Sequence, residues 1–384
     1  MSGASNSRAV RVLSVFEFKP SKDWMLGSLM EALRAREPGL QFRSVDGLFA
    51  TYKPGGLRPE RLINLLWIYL ASPAYLVFSR YDAVLVRTSP PGVQVWVALW
   101  ARLRRKPVIC WLMDYHPEIE ARILERRGWG ALARPLRRLD AAAMRRFAVI
   151  VALDRAMARV ARERAPAVAV LEHPTWGADG ASPTDPVSHA PGSDSHVLRI
   201  AYSGNLGKAH DLAPFARFLG LLVQRRKVEL YAGASAEGNL RLEALGASLG
   251  IPVASRTERL SWEALRALYT AQHIDLGVVL MSDDAAGLLS PSKFSGYINF
   301  GIPLLYFGPE ETNAADVCVR FGGGFRLPNG AGEEAMAAVV DALLDPVRMG
   351  EAAAGALAAA RHFARMNQVT LAAMVAPHLT ISTP

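Results

Sequence analysis

The chain alternates short, nearly unbroken apolar runs with stretches in which apolar residues recur at helical spacing, and it does so twice, on either side of a polar interval. Unbroken short apolar runs suit strands buried on both faces, and strands separated by helices pair in parallel through right-handed crossovers. Two α/β domains of doubly wound type are therefore expected. A length of 384 residues agrees with this, because one core seldom grows beyond roughly 250–300 residues.

The first alternation opens with a strand at 11–18 and a helix at 24–36 that carries Leu26, Leu29, Met30 and Leu33 on one face. Strands are expected next at 41–45, 83–87, 108–113, 148–152 and 168–171. Residues 177–196, rich in Gly, Ala, Ser, Pro and Asp, read as a hinge between a first domain, 1–176, and a second, 197–366, with a tail at 367–384. In the second domain, strands are expected at 198–202, 227–231, 252–254, 275–281 and 303–307. Helices are expected at 212–224, 236–249 and 262–271, and an alanine-rich helical stretch at 333–366 breaks near Pro346.

Two segments of the second domain put small residues and a lysine where a strand gives way to a helix. One is Tyr202-Ser203-Gly204-Asn205-Leu206-Gly207-Lys208; the other is Ser290-Pro291-Ser292-Lys293, followed by Tyr297, Gly301 and Pro303. Backbone N–H groups at a helix start hold anions, a glycine lets the backbone come close, and a lysine adds a point charge. Such a pair of elements fits a nucleotide diphosphate.

In these residues the chain resembles the nucleotide-sugar glycosyltransferases of GT-B fold, in particular the family 4-like enzymes. In those, a Pro-Ser-Lys-x3-Tyr-x3-Gly-x-Pro pattern and a Tyr-Ser-Gly-Asn-x-Gly loop line the donor site. Tyr81-Asp82-Ala83-Val84-Leu85-Val86, Ser89-Pro90-Pro91 and the run from Lys106 to Glu118 look like acceptor-domain strands of the same group, and the match in order and spacing covers most of 10–365. The resemblance implies an α/β GT-B architecture: two Rossmann-like doubly wound domains facing a cleft, with the C-terminal helix crossing back to the first domain and 367–384 packing there. It also implies an acceptor-binding first domain and a donor-binding second domain. No cofactor is expected, the nucleotide diphosphate sugar being the donor substrate, and the acceptor is expected to be lipid-linked or a glycan in bacterial-type surface polysaccharide or glycoconjugate synthesis.

On this reading Lys293 stabilises the departing diphosphate. Ser290 and Ser292 donate hydroxyls to phosphate or cap the helix. Gly204, Asn205 and Gly207 shape the loop, and Lys208 or His210 stands beside the phosphates, Lys208 taking part of the charge that many relatives supply from an arginine at the place of Asn205. His210 next to Asp211 reads equally as a polarised imidazole or an ordinary surface pair. Asp114, His116, Glu118 and Glu120 follow a strand of the first domain at the end where open α/β sheets place their chemistry. Asp114 matches the aspartate of an Asp-x2-Pro-Glu pattern in similar enzymes and is the favoured acceptor of a proton, with helix capping as its structural alternative. His116 is the second candidate.

The chain also departs from the pattern. The Glu-x7-Glu pair of many family 4-like enzymes is replaced by Leu288 and Gly296, and the loop 19–23 lacks the paired glycines of many relatives. Ribose contacts must then come from other groups. Two alternatives stand beside the transferase: a nucleotide-sugar epimerase of the same fold, which needs carboxylates around the sugar, and a non-catalytic binding subunit with a degenerate donor site. Asp283-Asp284 gathers no further ligands in sequence and the histidines lack zinc spacing, so metal independence is expected.

Charge is uneven. Residues 1–180 hold 28 Lys and Arg against 16 Asp and Glu, a net +12, and the remainder holds 16 against 19, a net −3, so the +9 of the whole chain comes from the first half. A basic field serves nucleic acid, an anionic membrane or a phosphorylated substrate, and the lack of aromatics interleaved with the arginines counts against nucleic acid. Residues 62–79 carry no charge. They read as a buried crossover helix or an interfacial one, while a span is disfavoured because Asn64 and Pro73 interrupt the run and a strand starts at Tyr81. Residues 122–146 form an arginine-rich amphipathic stretch with Trp129. Segments 57–79 and 122–146 are thus expected to meet an anionic membrane surface, placing the protein in the cytoplasm, peripheral on the inner face of the cytoplasmic membrane. Met1–Arg8 shows no apolar signal core, and Cys110 and Cys318, in separate domains, are expected as buried thiols.

Overall fold

A computed structural model describes residues 10–17, 30, 31, 33–35, 39–49, 59–174, 197–207, 210–258, 260–366 and 377. The loop at 19–23, Lys208, the hinge at 177–196 and the tail at 367–384 apart from Pro377 lie outside the described residues. The chain divides into two compact units: Met1–Thr175 with Gly287–Ser290 and Arg365–Pro384, and Trp176–Ala286 with Pro291–Ala364.

The first unit is built on β1 (Val10–Val15), β2 (Leu40–Val45), β3 (Ala83–Arg87), β4 (Val108–Leu112), β5 (Val149–Ala152) and β6 (Ala169–Glu172), all parallel, in the order β2-β1-β3-β4-β5-β6. Every residue of β3, β4 and β5 is buried, as expected of strands covered on both faces. The connections after β1 and β3 leave in opposite directions, so this sheet has its topological switch point between those strands.

Helix α1 (Pro59–Phe78) contains both Asn64 and Pro73 without ending at either. Asn64 is buried and ties down the preceding loop, accepting from Phe49 N and donating to Phe49 O, both at 2.9 Å. One face of α1, with Ile68, Ala71, Ser72 and Leu76, is buried, and the other exposes Leu62, Leu66, Leu70 and Phe78. By length and composition alone it is the one helix among the described residues apolar enough to cross a membrane. Helix α2 (Val93–Ala101) follows β3; its core residues lie in an apolar run too uniform to show periodicity.

The arginine-rich stretch 122–146 is two helices, α3 (Glu118–Arg126) and α4 (Gly130–Met144), parted at Gly128, whose φ of +81° suits a residue without Cβ. A share of its arginines faces inward. Glu118 accepts from Arg122 Nε at 3.2 Å, Arg137 Nε at 2.8 Å and Arg164 Nη2 at 2.5 Å, Arg164 coming from α5 (Arg155–Arg164). Arg164 also reaches the wholly buried Asp140 at 3.1 Å, and Tyr115 Oη donates to the same carboxylate at 2.9 Å. Burial lifts the Asp140 carboxyl to about 6 against the opposing pull of Tyr115 and Arg164. At Glu118 burial also acts upward, but the bonds from Arg137 and Arg164 outweigh it and bring the group down to about 2.

The second unit holds β7 (Val197–Ser203), β8 (Lys227–Gly233), β9 (Val253–Arg256), β10 (Leu276–Leu280), β11 (Leu304–Phe307) and β12 (Gly324–Leu327), parallel in the order β12-β11-β10-β7-β8-β9. Its helices are α6 (Ala213–Leu222), α7 (Ala236–Leu249), α8 (Trp262–Ala271), the single turn α9 (Phe294–Ile298), α10 (Asn313–Val319), α11 (Glu333–Leu344) and α12 (Pro346–Arg365). Ser235, Ser261 and Thr312 cap α7, α8 and α10, each accepting from an N–H three residues on. Elements α10 and β12 escape sequence reading because they are short and glycine-flanked. Here the switch point lies between β7 and β10. Cys110 and Cys318 are both free and buried, as expected.

Removing Arg164 leaves Asp140 and Glu118 buried without their shared cation. Arg164→Leu is expected to lower unfolding stability at neutral pH by about 3–5 kcal/mol. Urea unfolding of the full chain checks this, and an unchanged curve would show that the network carries no stability.

Candidate functional site

The loops after β7 and β10 diverge at the switch point of the second sheet, where doubly wound folds bind ligands. Ser203 ends β7, and Gly204, with φ of +103°, turns the chain while its N–H donates to Gly233 O at 2.8 Å. A side chain at Gly204 would meet Lys293: an added Cβ would stand 2.9 Å from Lys293 Cε. The backbone conformation therefore calls for glycine, and the lysine chain lies across it at close range.

The Lys293 ammonium donates to Tyr202 Oη at 2.6 Å, to the Asn205 carbonyl and to His210 Nε2 at 3.0 Å. It also sits 4.6 Å from the centre of the Tyr202 ring. All three of its protons thus have protein acceptors, and none of these is a carboxylate. Tyr202 Oη in turn donates to Asn205 O at 3.0 Å. His210 Nδ1 lies 3.3 Å from Gly207 O, which can only accept, so the ring proton sits on Nδ1 and Nε2 is the free lone pair facing Lys293.

With neutral partners only, burial pushes the Lys293 ammonium down to about 7. His210 is driven down to about 4 by burial and then by the Lys293 charge, with the Gly207 carbonyl opposing. Burial raises Tyr202, and Arg241 opposes it. Arg241 also donates to Leu206 O at 3.2 Å, bracing the loop from α7.

Tyr297, four residues after Lys293 and on the same side of its turn, fixes the two loops together. Its Oη accepts from Ser203 N at 2.7 Å and donates to Ala201 O at 3.1 Å, and its ring stacks on Tyr269 with centroids 5.8 Å apart. Gly277 on β10 makes room for that ring, since a Cβ there would fall 2.2 Å from it.

The structure thus brings Gly204, Asn205, Gly207, His210 and Lys293 together. Asp211 does not polarise His210; its Oδ1 accepts from Ala213 N at 2.9 Å and holds the start of α6. Ser292 is exposed, and α9 begins without a side-chain cap. That helix is five residues long, too short to lend much dipole to an anion, so the positive charge must come from Lys293 itself. Ser290 and Leu288 belong to the first unit, where Leu288 O accepts from Tyr115 N at 2.6 Å. Gly296, at the place of the second glutamate, faces open space.

In the first unit, Asp114 follows β4 and is exposed. Its carboxyl is pushed up by burial of its surroundings, with His116 and Arg87 pulling down and Glu120 pushing up; exposure to water discounts the effect. His116 Nδ1 lies 2.6 Å from Glu120 Oε1, so the histidine is oriented by the glutamate one turn on. Sequence reading missed Glu17. It is buried at the end of β1, beside the switch point, receiving Arg61 Nε at 2.8 Å and the Ser89 hydroxyl. An acidic residue inside an otherwise apolar strand run was the available signal.

No protein-family model and no curated protein sequence matches the chain. In structure it resembles proteins of the GT-B fold over nearly its whole length. The sucrose-phosphate synthase of Thermosynechococcus elongatus superposes with a TM-score of 0.65 at 13% identity, over 96% of this chain and 98% of that one. Anabaena HepE in complex with UDP-glucose gives 0.61 at 15% identity, over 96% and 99%. The lipopolysaccharide outer core galactosyltransferase WaaB gives 0.57 at 11% identity, over 94% and 100%. The fold is accordingly GT-B, with two Rossmann-like domains in one chain.

Two expectations follow. Tyr297→Phe strands the Ser203 N–H and should cost about 1–3 kcal/mol, read by urea unfolding. For Lys293, the lowered folded pKa means that the unfolded chain holds the extra proton between about 7 and 10.5, so wild-type stability rises with pH through that window. The melting temperature of wild type relative to Lys293→Met should climb from roughly pH 6.5 to pH 9.5. A flat difference would show that Lys293 keeps its proton throughout.

Proposed function

We propose that the protein is a glycosyltransferase that moves a sugar from a nucleotide diphosphate sugar to a lipid-linked or glycan acceptor in surface polysaccharide or glycoconjugate synthesis. The observation that carries the reading is the Lys293 ammonium, held by neutral acceptors over Gly204 at the switch point of the second sheet. A diphosphate offers that ammonium a charge-assisted partner stronger than a phenol, a carbonyl or an imidazole. Its charge also favours the protonated lysine. As the bond from the sugar to the diphosphate breaks, negative charge grows on the leaving oxygen and Lys293 stabilises it. The reading needs no divalent cation, because the lysine supplies the charge.

HepE was solved with UDP-glucose, which makes a uridine diphosphate sugar the first donor to test. On the acceptor side, Asp114 is the group we assign to receive the hydroxyl proton, with His116 and its Glu120 partner as the second choice. Membrane association on the inner face of the cytoplasmic membrane is part of the proposal. It is supported by exposed Leu66, Leu70 and Phe78 on α1, and by exposed Trp129, Leu132 and Leu139 beside the exposed Arg127, Arg134 and Arg138 on and before α4.

The test is a thermal-shift panel of UDP-, GDP-, dTDP- and CMP-sugars with and without EDTA, followed by titration of the donor that binds. A selective rise that EDTA leaves intact is expected. Lys293→Ala should weaken binding roughly 10- to 150-fold, the loss of charge-assisted bonds of about 1.5–3 kcal/mol. Normal affinity and turnover in that variant would remove Lys293 from the site. Binding without turnover on any acceptor would point to a non-catalytic subunit, and epimer formation without acceptor to an epimerase.

A further inference from the structure

The outer face of α1 ends in a groove. Leu62, Leu66, Leu70 and Phe78 fall along one side of the helix, 50%, 54%, 75% and 83% exposed respectively. The polar Asn64 and Ser72 point the other way, into the core. An ordinary surface helix buries its apolar stripe; this one keeps a second apolar stripe outside. Where α1 ends, Phe78, Arg80, Arg11 and Phe42 with its neighbours Gln41 and Arg43 line a groove of about 610 Å³.

Arg11 is neutralised within the fold, lying 3.6 Å from the buried Asp82. Arg43 and Arg80 are exposed and form no ion pair among the described residues. The Arg43 guanidinium stands 4.8 Å over the Tyr75 ring, so α1 itself holds it at the groove. The groove therefore combines two guanidinium groups that are unpaired among the described residues with two phenylalanine rings, at the end of an exposed apolar stripe. Arginine forks match phosphate oxygens, and aromatic walls accept the first carbons of an esterified chain.

We propose that this groove receives the phosphate headgroup of an anionic phospholipid in a bilayer on which the outer face of α1 lies. The inference rests on the membrane association proposed above and adds to it a specific site. A helix lying in the interface buries its apolar face about 5–10 Å deep, at the boundary between headgroups and acyl chains. That depth sets the arginines at the end of α1 level with the phosphates.

The test is co-sedimentation of the full chain with phosphatidylcholine vesicles, with and without phosphatidylglycerol. Wild type is expected to bind the anionic vesicles more tightly than the neutral ones. Arg43→Gln with Arg80→Gln should weaken anionic-vesicle binding about 30-fold, from about 1 kcal/mol per basic residue near the surface, and should abolish the preference. The charge-matched Arg348→Gln with Arg361→Gln, both exposed residues of the second unit, should keep it. Leu66→Asn with Leu70→Asn should weaken binding to both vesicle types. Four exposed positions are changed in the variants of the first unit, and far-UV circular dichroism verifies that each remains folded. Wild-type binding with an unaltered preference in the Arg43/Arg80 variant would overturn the groove while leaving membrane association standing. Equal losses in the two arginine variants would also overturn it, showing a diffuse basic field. No binding of wild type to either vesicle would overturn both.

Discussion

A single buried phenol holds the second unit's switch point together. Tyr297 accepts from the last strand N–H of β7, donates to Ala201 O and stacks on Tyr269, in a space that exists because residue 277 is glycine. Tyr297 and Lys293 are four residues apart and so lie on the same side of one turn. Anchoring the tyrosine to β7 therefore delivers the lysine to the loop that leaves β7. The glycine at 204 then lets the lysine chain cross the backbone at close range. Loop shape, lysine position and ammonium environment all follow from this one anchored ring.

The first unit solves a different problem, that of packing an arginine-rich pair of helices against a core. Glu118 gathers Arg122, Arg137 and Arg164, while Arg164 and Tyr115 share Asp140. The positive excess of the first half is therefore not all field. Part of it neutralises buried acids, and the outward part consists of residues such as Arg43, Arg80, Arg134 and Arg138. Burial alone would drive both acids toward the neutral form. The guanidinium bonds reverse this at Glu118 but not at Asp140, so one member of the network is firmly ionised and the other titrates near 6.

Much of this was legible in sequence, and the limits have physical causes. The alternation of apolar runs and helical periodicity located eleven of the strands, the central ones most plainly, because a strand buried on both faces has no polar residue to blur it. Asn64 and Pro73 looked like interruptions of α1; Asn64 instead turns inward to bond Phe49, a partner that only the fold reveals. His210 seemed paired with its neighbour Asp211, yet the ring faces Lys293, eighty-three positions away, and Asp211 serves a helix start. Glu17 went unassigned because its importance lies in converging with Arg61 and Ser89, which a linear reading does not bring together. Lys293 itself was found by its motif. Its acceptors were not recognised as such, because nothing in sequence pairs Tyr202 and His210 with residue 293, and Asn205 acts through a backbone carbonyl, which leaves no trace there.

The character of those acceptors matters for what the site can do. Had a carboxylate held Lys293, the ammonium would be locked in its charged form, and an incoming anion would have to displace a like charge from a poorly solvated pocket, at a cost of several kcal/mol. Neutral acceptors bind the ammonium more weakly and leave no stranded charge when exchanged. They also leave the protonated lysine short of compensation, which is why burial carries its pKa down to about 7. An anion supplies the missing compensation. On the proposed reading, a lysine that burial makes costly to protonate by itself, and that is cheap to protonate beside phosphate, would convert that difference into affinity for the anion. On that reading, the burial that disfavours the ammonium by itself would favour its pairing with a diphosphate.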